Sequence, residues 1–227
     1  MTKRPVLAVE AASLPLLRLE AAFKDLEAAG CQELHFTVTD GRMAPGFSMG
    51  HGFVAAAQAC CGLRRHVHLL VEDVDRALQP FLDAGCHGLT VPVGGSVHIH
   101  RTLARIREAG AAAGVSIGPG TSLTRLDYLL PHVDRVTVLA TEPGMDAEPT
   151  AGAALERIRI LRENLDYRKD PVALAAAAVR TPRAAADLLR HGAAQIIAEL
   201  PETPEEPRLT ARFQSFQAAM ERELTLA

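Results

Sequence analysis

Residues 26–38 read Leu-Glu-Ala-Ala-Gly-Cys-Gln-Glu-Leu-His-Phe-Thr-Val, passing from a helical pattern through a glycine into a short apolar run. Glycine just past a helix end adopts the left-handed conformation that closes the helix without a steric penalty. The same pattern, a helical segment followed by glycine and then a short apolar run, recurs around Gly85, Gly110 and Gly192. The pattern therefore predicts four helix-to-strand junctions, the first at Gly30.

Short apolar runs recur along the whole chain and alternate with helical patterns. They are rich in Val, Leu and Ala, which is typical of parallel strands buried on both faces. Eight such alternations favour an α/β fold of the (β/α)8 TIM-barrel type over an open sheet. We expect a single domain over residues 1–227, with residues 208–227 as the C-terminal helix. The predicted strands are 5–9, 33–38, 66–71, 88–93, 114–117, 135–140, 172–177 and 194–198.

Two helices are indicated by apolar stripes at helical spacing. Thr181 followed by Pro182 predicts the start of another helix, with an N-cap and then proline in the first turn. The two stripes are Leu16, Leu19, Phe23 and Leu26 near the start of the chain, and Leu209, Phe213, Phe216, Met220 and Leu224 at its end.

Charge and composition exclude several classes of partner. The chain has 24 Lys plus Arg against 27 Asp plus Glu, and its basic residues are scattered, so we expect no nucleic-acid partner. Its longest apolar stretches, such as residues 172–179, fall far short of the ~20 residues of a membrane span, so no membrane association is expected. The first residues lack the apolar core of a secretory signal. We therefore expect a cytoplasmic protein with its four cysteines reduced.

Two neighbouring strands carry histidines near the end of the barrel where chemistry is expected. Strand alternation places His35, Thr37 and Thr39 on one face of the second strand, and His66 and His68 on one face of the third. The histidines could share a divalent metal, because imidazole is a common metal ligand. Alternatively, they are hydrogen-bonded histidines of the barrel interior.

Several motifs together resemble the ribulose-phosphate 3-epimerase family over residues 5 to about 200. The resemblance implies a (β/α)8 barrel that binds a divalent metal and interconverts ketose phosphates such as ribulose 5-phosphate and xylulose 5-phosphate. It also implies two aspartates that act as acid and base on opposite faces of a metal-bound enediolate. The motifs are residues 5–41, Val67-His68-Leu69, residues 98–110, Pro119-Gly120-Thr121 and Glu142-Pro143-Gly144.

The family's metal and acid–base residues carry over unevenly. By this resemblance His35 and His68 stand at the positions of the metal histidines, whereas Thr37 occupies the position of the first aspartate and Ala176 or Ala177 that of the second. We expect the metal site to be lost or much weakened, unless the two histidines recruit another carboxylate from Glu10 or Asp40. The family's methionine positions hold Thr39, Leu70 and Leu139, and Ser13 falls near its serine after the first strand.

The resemblance also places a glycine-rich phosphate site in the loops after strands six, seven and eight. Gly144 is retained, but Asp146, Ala147, Ala178, Val179 and Glu199 replace the glycines. Negative charge would oppose a phosphate dianion, and Arg180 could offset it only in part. We expect phosphorylated sugars not to bind.

Two hypotheses for function follow. The first is a divergent isomerase or epimerase of carbohydrate metabolism that acts on a different, unphosphorylated carbohydrate-like substrate, with Glu10, Glu142, His35 or His68 in place of the two aspartates. The second is a pseudoenzyme, a non-catalytic barrel that binds a metabolite or a partner protein. A homo-oligomer is compatible with either hypothesis. The predicted substrate-binding residues are Ser13, His35, His68, Asp40, Gly144 and Arg180.

Overall fold

The computed structural model describes residues 5–142, 151–200 and 208–226 and contains a closed barrel of eight parallel strands. Each strand pairs with its neighbours in chain order, and β1 closes the barrel against β8. The predicted (β/α)8 barrel is therefore confirmed. The strands are β1 Val6–Glu10, β2 Glu33–Thr39, β3 Arg64–Leu70, β4 Gly88–Pro92, β5 Ala112–Ile117, β6 Arg135–Leu139, β7 Ala173–Val179 and β8 Gln195–Ala198.

Helices connect most of the strands and cover the outside of the barrel. Between β5 and β6, however, the chain forms two 3-10 turns, Leu123–Leu126 and Leu130–His132, where the alternating pattern predicts a helix. Pro119 and Pro131 flank and interrupt this segment, and proline disfavours a longer helix. The α-helices are α1 Leu19–Ala28, α2 His51–Cys60, α3 Val74–Asp83, α4 Ile99–Glu108, α5 Ala151–Arg168, α6 Pro182–Arg190 and α7 Leu209–Thr225.

The predicted helix ends are found in the structure. Gly30, Gly85, Gly110 and Gly192 all have positive φ, between 73° and 110°. The Thr181 hydroxyl accepts a hydrogen bond from the Ala184 N–H at 3.3 Å and so caps α6. None of the helices in the described ranges combines the length and apolar character needed to cross a membrane.

One apolar stripe begins later than the spacing predicts. Leu16 lies in a short 3-10 turn before α1 and is 58% exposed, whereas Leu19, Phe23 and Leu26 are buried. Pro15 precedes this turn, and α1 begins only at Leu19.

The barrel interior is apolar on one side and polar on the other. The apolar side is a small cluster separate from the main core, which lies between the strands and the surrounding helices. The polar side includes the buried histidines of β2 and β3. At the amino end, Arg135 binds the buried carboxylate of Glu33 through two hydrogen bonds of 2.9 and 3.1 Å. The apolar cluster consists of Ala8, Leu139, Ala175, Ala177 and Ile197.

Gly88 makes room for the His66 ring, so we expect Gly88→Ala to destabilise the barrel by about 1–3 kcal/mol. A Cβ at residue 88 would lie 2.7 Å from His66 Cε1. The ring could then not keep its 2.7 Å hydrogen bond to the Thr90 hydroxyl. Urea unfolding at pH 8 measures the change. Gly52→Ala is the matched control, since outside its own helix no atom of the described residues lies within 4 Å of its Cβ position, and equal effects of the two variants would contradict the prediction.

Candidate functional site

A buried carboxyl group lies at the carboxyl end of the barrel, where β1 finishes at Glu10. Its Oε2 accepts a hydrogen bond from the Thr37 hydroxyl at 2.6 Å. Its Oε1 accepts from the backbone N–H groups of Thr37 and Ala12 at 3.2 and 3.1 Å. The residue is only 8% exposed.

Burial raises the pKa of Glu10 to about 7, because removal from water disfavours the charged carboxylate. The hydrogen bonds from Thr37 and Ala12 lower this pKa in part, and the negative charge of Glu199 raises it further. Near neutral pH the carboxyl group is therefore present in both its protonated and its ionised form.

The Glu10 carboxylate lies beside Thr37 of β2. Thr37 stands where the resemblance places the first aspartate, and the Glu10 carboxylate reaches its hydroxyl from the neighbouring strand. The second aspartate position has no such replacement on β7: Ala177 belongs to the interior cluster, and Ala176 packs in the core outside the strands. The site thus contains one buried carboxyl group in its described part.

Three buried histidines lie in the barrel interior on β2 and β3. His66 Nε2 is 2.7 Å from the Thr90 hydroxyl, and His68 Nε2 is 2.7 Å from the hydroxyl of Ser116. His35 pairs with Glu10 in the β1–β2 register. Within the described ranges, neither ring nitrogen of His35 has a hydrogen-bond partner. The His35 ring centroid lies 5.6 Å from that of His66 and 5.8 Å from that of His68.

All three imidazoles are neutral at physiological pH. Burial lowers the pKa of His68 to about 3, and it holds the pKa values of His35 and His66 well below the ordinary value. Each neutral ring carries one N–H donor and one acceptor nitrogen. The interior can thus offer neutral hydrogen-bond donors beside Glu10.

The residues of this site do not fit the divalent metal that the resemblance implies. The Glu10 carboxylate is held by Thr37 and Ala12, and one nitrogen of His68 is paired with Ser116. In the described part of the chain, no group of three or more His, Cys, Asp or Glu side chains is arranged to hold a metal. Catalytic metal sites usually have about three protein ligands.

Asp40 does not complete such a site either. Its Oδ1 accepts from the backbone N–H groups of Arg42 and Met43, at 2.9 and 3.2 Å, and its Oδ2 accepts from that of Glu72 at 2.8 Å. The Glu72 N–H is the main cause of a lowered pKa at Asp40. Asp40 therefore ties the loop after β2 to the loop after β3.

Ser13 and Glu142 also make contacts within the protein. The Ser13 hydroxyl donates to the Glu10 carbonyl at 2.7 Å and accepts from the Leu200 N–H at 3.0 Å, which joins the loops after β1 and β8. Glu142 Oε1 accepts from the Gly120 N–H at 3.3 Å and supports the loop after β5. Glu10 is thus the more deeply placed of the two predicted acid–base groups, because Glu142 lies on a loop.

Arg180 and Glu199 face each other where β7 and β8 end. Arg180 Nε lies 2.7 Å from Glu199 Oε2. Of the other predicted phosphate-loop positions, Gly144, Asp146 and Ala147 lie outside the described residues.

Two features of the site were missed by sequence reasoning. Thr37 is the hydrogen-bond donor that holds Glu10, and Ser116 is the partner of His68. Strand alternation points Thr37 to the interior and could have indicated the first contact. Ser116 forms no recognisable spacing with His68, 48 positions earlier in the chain, so no sequence signal indicates the second.

Comparisons with known proteins agree with this architecture. The profile of the family described as "Ribulose-phosphate 3 epimerase family" matches residues 6–199. A ribulose-phosphate 3-epimerase of Aquifex aeolicus is 34% identical over 137 residues, which are 60% of this chain and 62% of that protein. A ribulose-phosphate 3-epimerase of Synechocystis is 33% identical over 170 residues, 74% of each chain. The chain thus spans under two thirds of the Aquifex protein.

The fold is also found in solved structures of low sequence identity. A structure of Mycobacterium tuberculosis tryptophan synthase superposes with a TM-score of 0.70 at 20% identity, over 96% of this chain and 93% of that one. This similarity shows only that the two chains share the barrel fold.

Proposed function

The chain belongs to the ribulose-phosphate 3-epimerase family, and on this premise we propose that it isomerises an unphosphorylated carbohydrate with Glu10 as its acid–base group. The observation that carries the proposal is the buried Glu10 carboxyl group, held by Thr37 and with a pKa of about 7. A general acid–base group works best when its pKa lies near the working pH.

The proposed chemistry is a proton transfer next to a carbonyl group. The Glu10 carboxylate removes the proton from the carbon beside the carbonyl, and the resulting carboxylic acid returns it to the neighbouring carbon. The neutral His35 ring, whose nitrogens have no other partner within the described ranges, would give its N–H proton to the carbonyl oxygen and take up the hydroxyl proton from the carbon beside it, so that the carbonyl and hydroxyl groups exchange positions. A neutral imidazole can stabilise the oxygen as negative charge develops on it.

A single carboxyl group favours exchange between an aldose and a 2-ketose over inversion at one carbon. Inversion requires removal of the proton from one face and return to the other, and hence two groups. Among the described residues, the buried carboxyl groups are Glu10 and Glu33. Glu33 is paired with Arg135 at the amino end of β2. Glu10 alone would return the proton to the face from which it came.

The test follows deuterium from solvent into sugar. Ribulose, xylulose, fructose, ribose and glucose, all unphosphorylated, are incubated with the protein in D2O and observed by proton NMR. We expect enzyme-dependent deuterium at the carbon beside the carbonyl of at least one sugar, with conversion between its aldose and ketose forms. Absence of exchange for every sugar would reject the proposal and leave a non-catalytic binding barrel as the remaining hypothesis.

We also expect no useful epimerisation of ribulose 5-phosphate, because the second acid–base group and a fitting set of metal ligands are missing from the described site. A coupled assay that detects xylulose 5-phosphate should stay at background. Thr37→Asp alone should not restore activity, because Ala177 would still offer no second carboxyl group. Turnover within about 1 to 10³ per second would contradict this expectation.

The same reasoning predicts low metal content. Protein purified without added metal should contain far less than one equivalent of zinc, iron or manganese by mass spectrometry. In the described part of the chain the three interior histidines are not arranged to share a metal, and His66 and His68 each have one ring nitrogen in a hydrogen bond. One equivalent of metal that His35→Ala removes would contradict the prediction.

A further inference from the structure

The ends of β7 and β8 form a corner at the open end of the barrel that contains an internal ion pair. Arg180 follows β7, Glu199 follows β8, and Arg180 Nε lies 2.7 Å from Glu199 Oε2. The two side chains are 45% and 25% exposed, respectively. Both charges therefore lie at the edge of the site, with the carboxylate the more enclosed.

The backbone at this corner is unusual. Ala178 has a φ of 62°, in the left-handed region that favours glycine, and the pairing of β7 with β8 shifts register between Ala176 and Val179. Bulges at barrel rims re-aim side chains beside active sites. Strained residues of this kind persist where the surrounding structure enforces them. The bulge lies directly before Arg180, whose side chain contacts Glu199 at the end of β8.

We propose that Glu199 fills, from within the protein, an anion site formed by Arg180 at the ends of β7 and β8, and thereby excludes phosphorylated substrates. The loops after strands seven and eight are a frequent phosphate site in barrels of this type. Here the guanidinium already binds a carboxylate at 2.7 Å. Exclusion of a competitor by a placed like charge is a common source of specificity.

Other charges at the open end reinforce this exclusion. Glu199 lies close enough to Glu10 to contribute to the raised pKa of that carboxyl group. A phosphate dianion at the corner would displace Glu199 from Arg180 and bring a further negative charge towards both carboxylates. An uncharged sugar meets no such repulsion. The inference thus rests on the proposed function, and it names the residue that selects unphosphorylated substrates.

The test removes the Glu199 carboxylate and measures whether inorganic phosphate then binds at Arg180. Inorganic phosphate is titrated by calorimetry into the wild-type protein, Glu199→Gln, Glu199→Ala and the double variant Glu199→Ala/Arg180→Met. We expect the two single variants to bind phosphate at least about tenfold more tightly than wild type. The double variant should lose this gain.

Asp170→Asn is the matched control. Asp170 forms an ion pair of the same length, 2.7 Å, with Arg168. Both residues precede β7 and therefore lie at the other end of that strand. Removal of the Asp170 carboxylate should leave phosphate binding as in wild type. Circular dichroism checks the fold of each variant, and Glu199→Gln, which keeps the side-chain shape, carries the test if Glu199→Ala fails to fold.

Two results would overturn the inference: folded Glu199 variants that bind phosphate no better than wild type, or a gain that survives loss of Arg180. Phosphate binding requires no turnover, so this test is separate from that of the proposed function. A gain of binding without deuterium exchange into any sugar would reject the isomerase and keep the anion site. Deuterium exchange without a gain in phosphate binding would reject the anion site and keep the isomerase.

Discussion

Replacing Glu10 by glutamine is expected to lower the rate of deuterium exchange into the substrate sugar by about 10²- to 10⁴-fold, the usual contribution of a general acid–base group. Glutamine has nearly the same shape: its amide oxygen can accept from the backbone N–H groups of Thr37 and Ala12, and its NH2 group can donate to the Thr37 hydroxyl. It cannot take up a proton at neutral pH. The loss should therefore appear in kcat, with circular dichroism and thermal unfolding close to those of wild type.

Glu142→Gln provides the matched control, because Glu142 is the other acid–base residue indicated by the sequence. Its Oε1 supports the loop after β5 through the Gly120 N–H at 3.3 Å. We expect a change in exchange rate of less than about tenfold, well below that of Glu10→Gln. A larger loss from Glu142→Gln than from Glu10→Gln would assign the role to Glu142 instead.

The second large effect is a steep loss of stability in acid. His35, His66 and His68 are buried and neutral, with pKa values held below that of an exposed histidine. Below about pH 6.5 the unfolded chain binds protons at these residues and the folded chain does not, so the free energy of unfolding falls as pH falls. For His68, whose folded pKa is about 3, the loss reaches about 5 kcal/mol by pH 3.

Glu10 acts in the opposite direction. Its pKa rises from 4.5 to about 7 on folding, so the folded chain binds the additional proton between these values and gains stability as pH falls. The full effect of this one group is about 3 kcal/mol. Three histidines outnumber one carboxyl group, so the net effect is a fall in the free energy of unfolding as the pH falls below about 6.5.

Urea unfolding from pH 8 to pH 5 measures this dependence. His68→Asn should flatten the slope below pH 6.5 by about 1.4 kcal/mol per pH unit, because one titrating group is removed. His98→Asn is the control, since His98 lies before α4, away from the barrel interior. A wild-type stability that does not change between pH 7 and pH 5 would contradict the account.

The sequence predicts the barrel well because the fold depends on a repeated local pattern. Glycine at four helix ends and alternating apolar runs indicate all eight strands, with boundaries within two residues of those observed. The connection between β5 and β6 departs from the pattern. There two 3-10 turns replace the helix, Pro119 precedes both and Pro131 lies within the second, and alternation alone gives no warning of it.

The site was only partly predictable, because its decisive contacts join different strands. The position of His35 and His68 on interior faces follows from strand alternation, as does that of Thr37. The bond between Thr37 and Glu10 depends on the β1–β2 register, which places Glu10 beside His35. Similarly, the role of Arg180 depends on Glu199, 19 residues away and on another strand.

The most direct test of the central claim measures the ionisation of Glu10 itself and needs no knowledge of the substrate. Carboxyl carbons of glutamate are labelled with ¹³C, the Glu10 resonance is assigned by its absence in Glu10→Gln, and its chemical shift is followed from pH 5 to pH 9. The account predicts a titration midpoint near pH 7, as the buried carboxyl group with a pKa of about 7 requires. A midpoint near 4.5, the value of an exposed glutamate, would contradict it.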